Sequence, residues 1–444
     1  MSIGRAANRA GVRRRVIVVG AGFSGAAAAA QMLARGDVRV TLVGRGGQFG
    51  LGLAYGEAGG AHLLNNPAAR MSALEEDPDH FVRWLARRGG AAEPARFASR
   101  ADYGSYVQSV LHKAEQQQRG GALTKMRADA VACRREGSDW VVTLASGRVL
   151  RADAVVLALG HPPPAAPAPF AASDLIGAWD QRAQRRLPRR GDVLMLGTGL
   201  TMVDVALTLA ERKGVLYALS RRGRTPHVHS AAAAAVRAPG EPPLDLSAAL
   251  HAFRARATED WRDAIDSLRG VTPELWARLG LTRQQRFLRH LRPWWDVHRH
   301  RLAPETGARF AALMATGRVR ILAGEIASAA RENGIWRLQH RQRGSRARHR
   351  IEVAGIINCT GPDYMLARWD DALVRQLLNE GLARAPENGL GFDVDPENCL
   401  RDKTGVAQKN LFVLGPLAVG SFWETIAVPE LRARAAAIAQ ALGG

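Results

Sequence analysis

The stretch Arg15-Val16-Ile17-Val18-Val19-Gly20-Ala21-Gly22-Phe23-Ser24-Gly25, which runs into the alanines 26 to 30, decides the fold. Val16 to Val19 are all β-branched and read as a buried strand. The alanine-rich segment from Ser24 to about Arg35 reads as a helix. Between them the glycines stand at Gly-x-Gly-x-x-Gly spacing. Gly20 permits a tight turn, Gly22 lets the backbone approach a pyrophosphate, and Gly25 lets the helix pack on the strand. The helix then presents unpaired N–H groups and a positive dipole end to phosphate. A second strand at Val38–Val43 completes a βαβ unit. Arg13-Arg14-Arg15 before an apolar run also resembles a secretion signal, but the glycine spacing favours a strand, a turn and a helix.

The pattern restarts at residue 193. Val193–Leu196 reads as a strand, Gly197-Thr198-Gly199-Leu200-Thr201-Met202 as a second turn, Thr201–Arg212 as a helix and Val215–Ser220 as a strand. Met202 takes the third glycine position. Arg221 lies 24 residues beyond Gly197, and Gly44 lies 24 beyond Gly20, so the two units share one layout. An acid at the end of the second strand would bind an adenosine ribose. Unit two instead carries Arg221 and Arg222, which suit a ribose 2′-phosphate and favour NADPH over NADH. Unit one carries Gly44-Arg45, so its acid is missing too.

The chain has 444 residues, enough for two or three domains. Strands alternating with helices predict an α/β fold with parallel sheets. The segment from about 246 to 316 reads as helical. The formal charge is +21, yet only five of the 62 basic residues are Lys and the Arg is spread along the chain. That distribution suits attraction of anionic ligands better than a nucleic-acid surface. Three cysteines without a Cys-x-x-Cys pair speak against a disulfide framework and a dithiol redox centre. No breaker-free apolar run reaches spanning length, so a cytoplasmic protein with no membrane partner is expected. Walker, nucleophile-elbow and His-Glu-x-x-His motifs are absent from the sequence.

These residues resemble the two-dinucleotide-binding-domain flavoproteins. More narrowly, the chain is similar to the bacterial FAD/NAD(P)-binding proteins that include flavin-dependent urate hydroxylases and amino-acid N-monooxygenases. Besides the two turns, the resemblance rests on Phe49–Tyr55, His62–Asn65, Met71-Ser72-Ala73, Trp295–Arg301, Asn358–Pro362 and Gly415–Glu430. It implies an FAD domain built from both ends of the chain (1–165 and 326–444), with an NAD(P)H domain inserted at 166–325. Leu159–Pro162 and Thr360-Gly361-Pro362 would be the crossovers. FAD contacts would come from Gly20, Gly22, Phe23, Ser24, Gly25, Arg45, Asn65, Met71, Gly361, Gly415, Pro416, Thr425 and Ile426. Those to NADPH (or NADH) would come from Gly197, Gly199, Leu200, Thr201, Arg221 and Arg222. Gly415-Pro416 stands where many relatives have Gly-Asp, so the usual ribityl contact is in question. The last helix would aim its N-terminus at the flavin pyrimidine.

Asn65 is the expected neighbour of the flavin reaction centre, with Asn66 as its alternative. An amide there can hydrogen-bond an oxygen species without giving up a proton. The segment Trp294–Arg301 groups aromatic and basic residues. His298 and Arg301 are its candidate substrate contacts, expected on one helix face. His298 and His300 lack the spacing of a helical metal pair, and no metal is expected. His227 and His229 are candidates for the cleft wall, and Glu424 and Glu430 read as helix-end acids. The expected activity is an FAD-dependent, NAD(P)H-consuming monooxygenase. It would use molecular oxygen on a small nitrogen-containing substrate, an amino acid or a urate-like heterocycle, and an anionic one would suit the basic chain. A flavin oxidoreductase without oxygen transfer and a non-catalytic FAD-binding sensor or scaffold are the alternatives.

Overall fold

The structure is a computed structural model that describes residues 13–36, 38–56, 62–89, 93–117, 122–230 and 245–443. Most of the basic leader and the centre of the Ala/Pro-rich loop at 226–250 lie outside the described residues. The first βαβ unit forms as β1 (Arg14–Val19), α1 (Phe23–Arg35) and β2 (Val38–Gly44). Val16 to Val19 are buried on both faces of the sheet, as a strand covered on both sides must be. Two parallel strands join them: β3 (Leu123–Arg127) beside β2, and β4 (Ala154–Leu157) beside β1. Beyond β4 lies β11 (Ala407–Val413), so the end of the chain completes the sheet that its start began. The small side chains of Ala26 to Ala30 in α1 join one apolar core with Ala435, Ile438 and Ala439 of α4 (Val428–Gly443).

The second unit contains β5 (Val193–Leu196), α2 (Leu200–Thr208) and β6 (Leu216–Ser220). Its seven-stranded sheet runs β9-β8-β7-β6-β5-β10 and ends on the short strand Ile176–Gly177. Here β7 is Val319–Glu332, β8 Ile335–Gln342, β9 Arg348–Val353 and β10 Gly355–Asn358. The strand expected at Val319–Leu322 therefore continues for ten more residues. It is parallel to β6 over Val319–Ala323, and from Gly324 it pairs antiparallel with β8, across a bulge at Ile326/Ser328. The sheet is mixed rather than parallel throughout. Because β10 lies beside β5, the chain returns to the first sheet after Asn358, not after residue 325.

A three-stranded antiparallel sheet (Ala130–Glu136, Asp139–Leu144, Val149–Ala152) shares a core with one face of the first sheet. The helical segment is present as Leu246–Ser267, Thr272–Arg286, a π-turn at Phe287–Leu291, α3 (Arg292–Arg299) and Pro304–Ala315. Its Trp276 stacks on Trp423 at 4.9 Å, and the indole N–H donates to the Gly420 carbonyl at 2.8 Å. This contact seats the insertion against the C-terminal part of the first unit. Among the described residues, no helix is long and apolar enough to cross a membrane.

Candidate functional site

The two glycine turns are built alike. Gly20 has φ +110°, and a Cβ there would lie 2.0 Å from the Ala158 carbonyl oxygen. Gly197 has φ +107°, and its Cβ would lie 2.4 Å from the Cys359 carbonyl oxygen. Each turn is thus pressed against Ala158 or Cys359 at the end of the neighbouring strand, just before the expected crossovers Leu159–Pro162 and Thr360–Pro362. A Cβ at Gly25 would fall 1.9 Å from the Gly20 oxygen, so this glycine is required for helix packing. Gly22 and Gly199 are the N-caps of α1 and α2 and make no side-chain cap bond, which leaves N–H groups free for phosphate.

A cleft of about 960 Å³ opens along the C-terminal edge of the first sheet. That is at the upper end of the range for ligand sites, about 300–1,000 Å³. Gly20, Gly22, Phe23, Ser24 and Arg45 form one part of its wall, and Asn65, Asn66, Met71, Pro416 and Ile426 another. Gly415 lies behind, and a Cβ on it would be 3.5 Å from the Ser24 hydroxyl. Ile426, Ala427 and Val428 bring the start of α4 into the cleft. Thr425 is buried beside them, with no hydrogen-bond partner for its hydroxyl among the described residues.

The basic–aromatic segment reaches the cleft by other residues than expected. α3 ends at Arg299, and His300 has left the helical conformation (φ −98°, ψ 83°). Arg301 is therefore not on the face of His298. It is buried, and its Nη2 contacts both carboxylate oxygens of Asp266, at 2.6 and 2.7 Å. His298 Nδ1–H donates to the Trp294 carbonyl at 2.7 Å, and the ring packs on His227 and Trp261. Arg299 and His300 line the cleft instead.

Both face Glu424, which is buried and held at φ +73°. Its carboxylate accepts the Trp295 indole N–H at 2.7 Å and lies 3.4 Å from His300 and 3.3 Å from Arg299. The neighbouring His300 and Arg299 hold this carboxyl far below the usual carboxylate range, against the opposing effect of burial. Glu430 pairs with Arg269 at 3.0 Å. These acids therefore bind the helical insertion and are not simple helix-end caps.

Two further histidines approach the cleft. His161 lines it and shares a 2.9 Å hydrogen bond with the Tyr364 hydroxyl; burial pushes its pKa down to about 4. His229 lies 3.0 Å from the Asn65 carbonyl oxygen. Burial, with Arg301 adding to it, lowers its pKa to about 4. His161 lies in the expected crossover Leu159–Pro162, where nothing in the sequence signals its burial.

At the second turn the Ser220 hydroxyl accepts the Gly223 N–H at 2.9 Å and the Thr198 hydroxyl at 2.9 Å. This fixes the loop that presents Arg221 and Arg222. Arg343, from the end of the β8 hairpin, donates to the Arg221 carbonyl at 3.3 Å. Burial and the adjacent Arg222 and Arg343 charges push Arg224 below its ordinary pKa, and its guanidinium stacks on Trp294 at 3.2 Å. Gly361 (φ +82°) turns the second crossover. The arrangement offers one cleft beside the first glycine turn, and a second glycine turn next to an arginine cluster.

Residues 17–162 match the FAD-NAD(P)-binding family. No curated protein sequence matches the chain. The L-lysine 6-monooxygenase from Pseudomonas syringae superposes with a TM-score of 0.69 at 17% identity, over 97% of this chain and 99% of that one. The cadaverine monooxygenase of desferrioxamine biosynthesis from Erwinia amylovora, solved with FAD, gives 0.67 at 14% over 97% and 94%. The Kutzneria sp. 744 ornithine N-hydroxylase, solved with reduced FAD, NADP+ and L-ornithine, gives 0.66 at 14% over 97% and 99%. The chain has the two-dinucleotide-binding fold of these proteins.

Proposed function

We propose, for a chain with the fold of the FAD- and NADP-binding N-hydroxylases, that it is an FAD-dependent, NADPH-consuming monooxygenase acting on a small amine or amino acid. The observation that carries this reading is the single cleft, which joins the first glycine turn to Asn65 and to the N-terminus of α4. FAD fits the residues present. Turn Gly20–Gly25 and the start of α1 would hold its pyrophosphate, where side chains at Gly20 and Gly25 would clash. The N-terminus of α4 would face the pyrimidine and favour negative charge there. Bound flavin would supply the electron transfer and oxygen activation.

The protein's own groups would orient and shield. Asn65 would hydrogen-bond the oxygen species beside the ring. Arg299, held in place by Glu424, would offer a cation at the same end of the cleft to an acidic substrate group. Gly197–Thr201 would hold the NADPH pyrophosphate, with Arg221 and Arg222 on the 2′-phosphate.

The test is aerobic NADPH oxidation by the FAD-loaded protein across a panel of amines, amino acids and purines. The proposal expects one class to give hydroxylated product in near-stoichiometric ratio to NADPH. Stoichiometric peroxide with every compound would instead identify a flavin oxidoreductase without oxygen transfer.

A further inference from the structure

The first unit has no acid where β2 ends, and the structure explains why none is possible. A Cβ at Gly44 would lie 2.4 Å from the Cβ of Ala21 in the glycine turn. The cleft wall beside the end of β2 nevertheless carries acids. β3 runs parallel to β2 with Arg127 opposite Gly44, and the Ala128 N–H donates to the Gly44 carbonyl at 3.2 Å. Asp129 follows directly and lines the cleft. Its position is one strand over from the missing acid, at the same sheet edge.

Arg45 draws two acids to this wall. Its Nε donates to Asp129 Oδ1 at 2.6 Å and its Nη2 to Asp371 Oδ2 at 2.5 Å. Asp371 is already committed. It is buried, and its Oδ1 caps the helix Ala372–Asn379 by accepting the Val374 N–H at 3.0 Å. Asp129 differs: its side chain is 43% exposed, and Oδ2 has no hydrogen-bond partner among the described residues. Arg45 thus orients a carboxylate that retains a free oxygen at the cleft edge.

We infer that Asp129, positioned by Arg45, binds the ribose hydroxyls of the adenosine half of FAD in place of the strand-end acid that Gly44 excludes. Asp129 has this role only if the cleft holds FAD, as proposed above. A ribose diol has two donors, and a carboxylate accepts both. Hydrogen bonds to a charged group contribute enough for an effect of about tenfold or more on affinity.

The test uses apo-protein titrated with FAD and, separately, with FMN, which lacks the adenosine. Displacement of bound FAD by ADP and by 2′-deoxy-ADP is measured in parallel. Asp129→Asn and Asp129→Ala should each weaken FAD binding about tenfold or more and leave FMN binding within about twofold. Wild type should prefer ADP to its 2′-deoxy analogue, and both variants should lose that preference. Unchanged FAD affinity, an equal loss of FMN and FAD, or a retained ADP preference would overturn the role. A wild-type protein that takes up no FAD would refute the flavin reading itself, and is distinguished because the unmutated chain is then blank.

Discussion

At the scale of single residues, the site is set by how charges are buried. Glu424 sits among Trp295, Arg299 and His300 with little access to water. Removing one partner of such a buried set leaves the others uncompensated, at a cost of about 3–5 kcal/mol. Glu424→Ala should therefore lower the thermal midpoint markedly, while Glu430→Ala, which leaves Glu424 in place, should cost less. Asn65→Ala should leave flavin binding largely intact and shift turnover from product toward peroxide. An unchanged product-to-NADPH ratio would make Asn65 structural.

His161 and His229 give a pH dependence with a definite sign. Both have folded pKa values near 4, below the unfolded value of 6.5. Their neutral forms are favoured in the folded state, so their contribution is complete above pH 6.5 and is lost as pH falls toward 4. Denaturant unfolding of the apo-protein between pH 7 and 4 should show this loss, and His229→Gln should flatten the slope.

At the scale of elements, each glycine turn depends on close backbone approach. Gly20→Ala would place a methyl group 2.0 Å from the Ala158 oxygen at φ +110°. That contact adds to the strain of a non-glycine residue in a sparsely populated backbone region, about 1–3 kcal/mol, and the variant should fail to retain flavin or to fold. The Arg221→Ala, Arg222→Ala pair tests the second turn. It should raise the KM for NADPH about ten- to a hundredfold and leave NADH use nearly unchanged; equal loss for both coenzymes would remove the 2′-phosphate role.

Elements were legible where their signal was local. Both turns could be read because three or four residues at fixed spacing determine them. The exit of α3 could not be read. Helical periodicity put His298 and Arg301 together, but the helix stops at Arg299 and the next turn sends Arg301 to Asp266. Asp129 was equally hidden, because its place at the cleft depends on the pairing of β3 with β2. The continuation of β7 is set by its antiparallel partner β8, a contact that no alternation within 319–332 announces.

At the scale of the molecule, the two units meet through polar contacts as well as the Trp276–Trp423 stack. Arg100, on the cleft wall, donates to the buried Asp204 of α2 at 2.7 Å, and His62 lies 3.0 Å from the Thr208 hydroxyl. These contacts tie the first unit to the helix that follows the second glycine turn. The duplicated layout and the helical insertion were evident in the sequence. The point of return to the first sheet was not, because β10 belongs with β5 through pairing alone.

The central claim is that two phosphate-binding turns place NADPH against a flavin in one chain. It is tested most directly by loading the purified protein with FAD and adding NADPH without oxygen. The account predicts a yellow protein whose oxidised-flavin absorbance disappears on the timescale of turnover, faster with NADPH than with NADH. A chain that binds no flavin, or one whose flavin keeps its absorbance with either coenzyme, would contradict it.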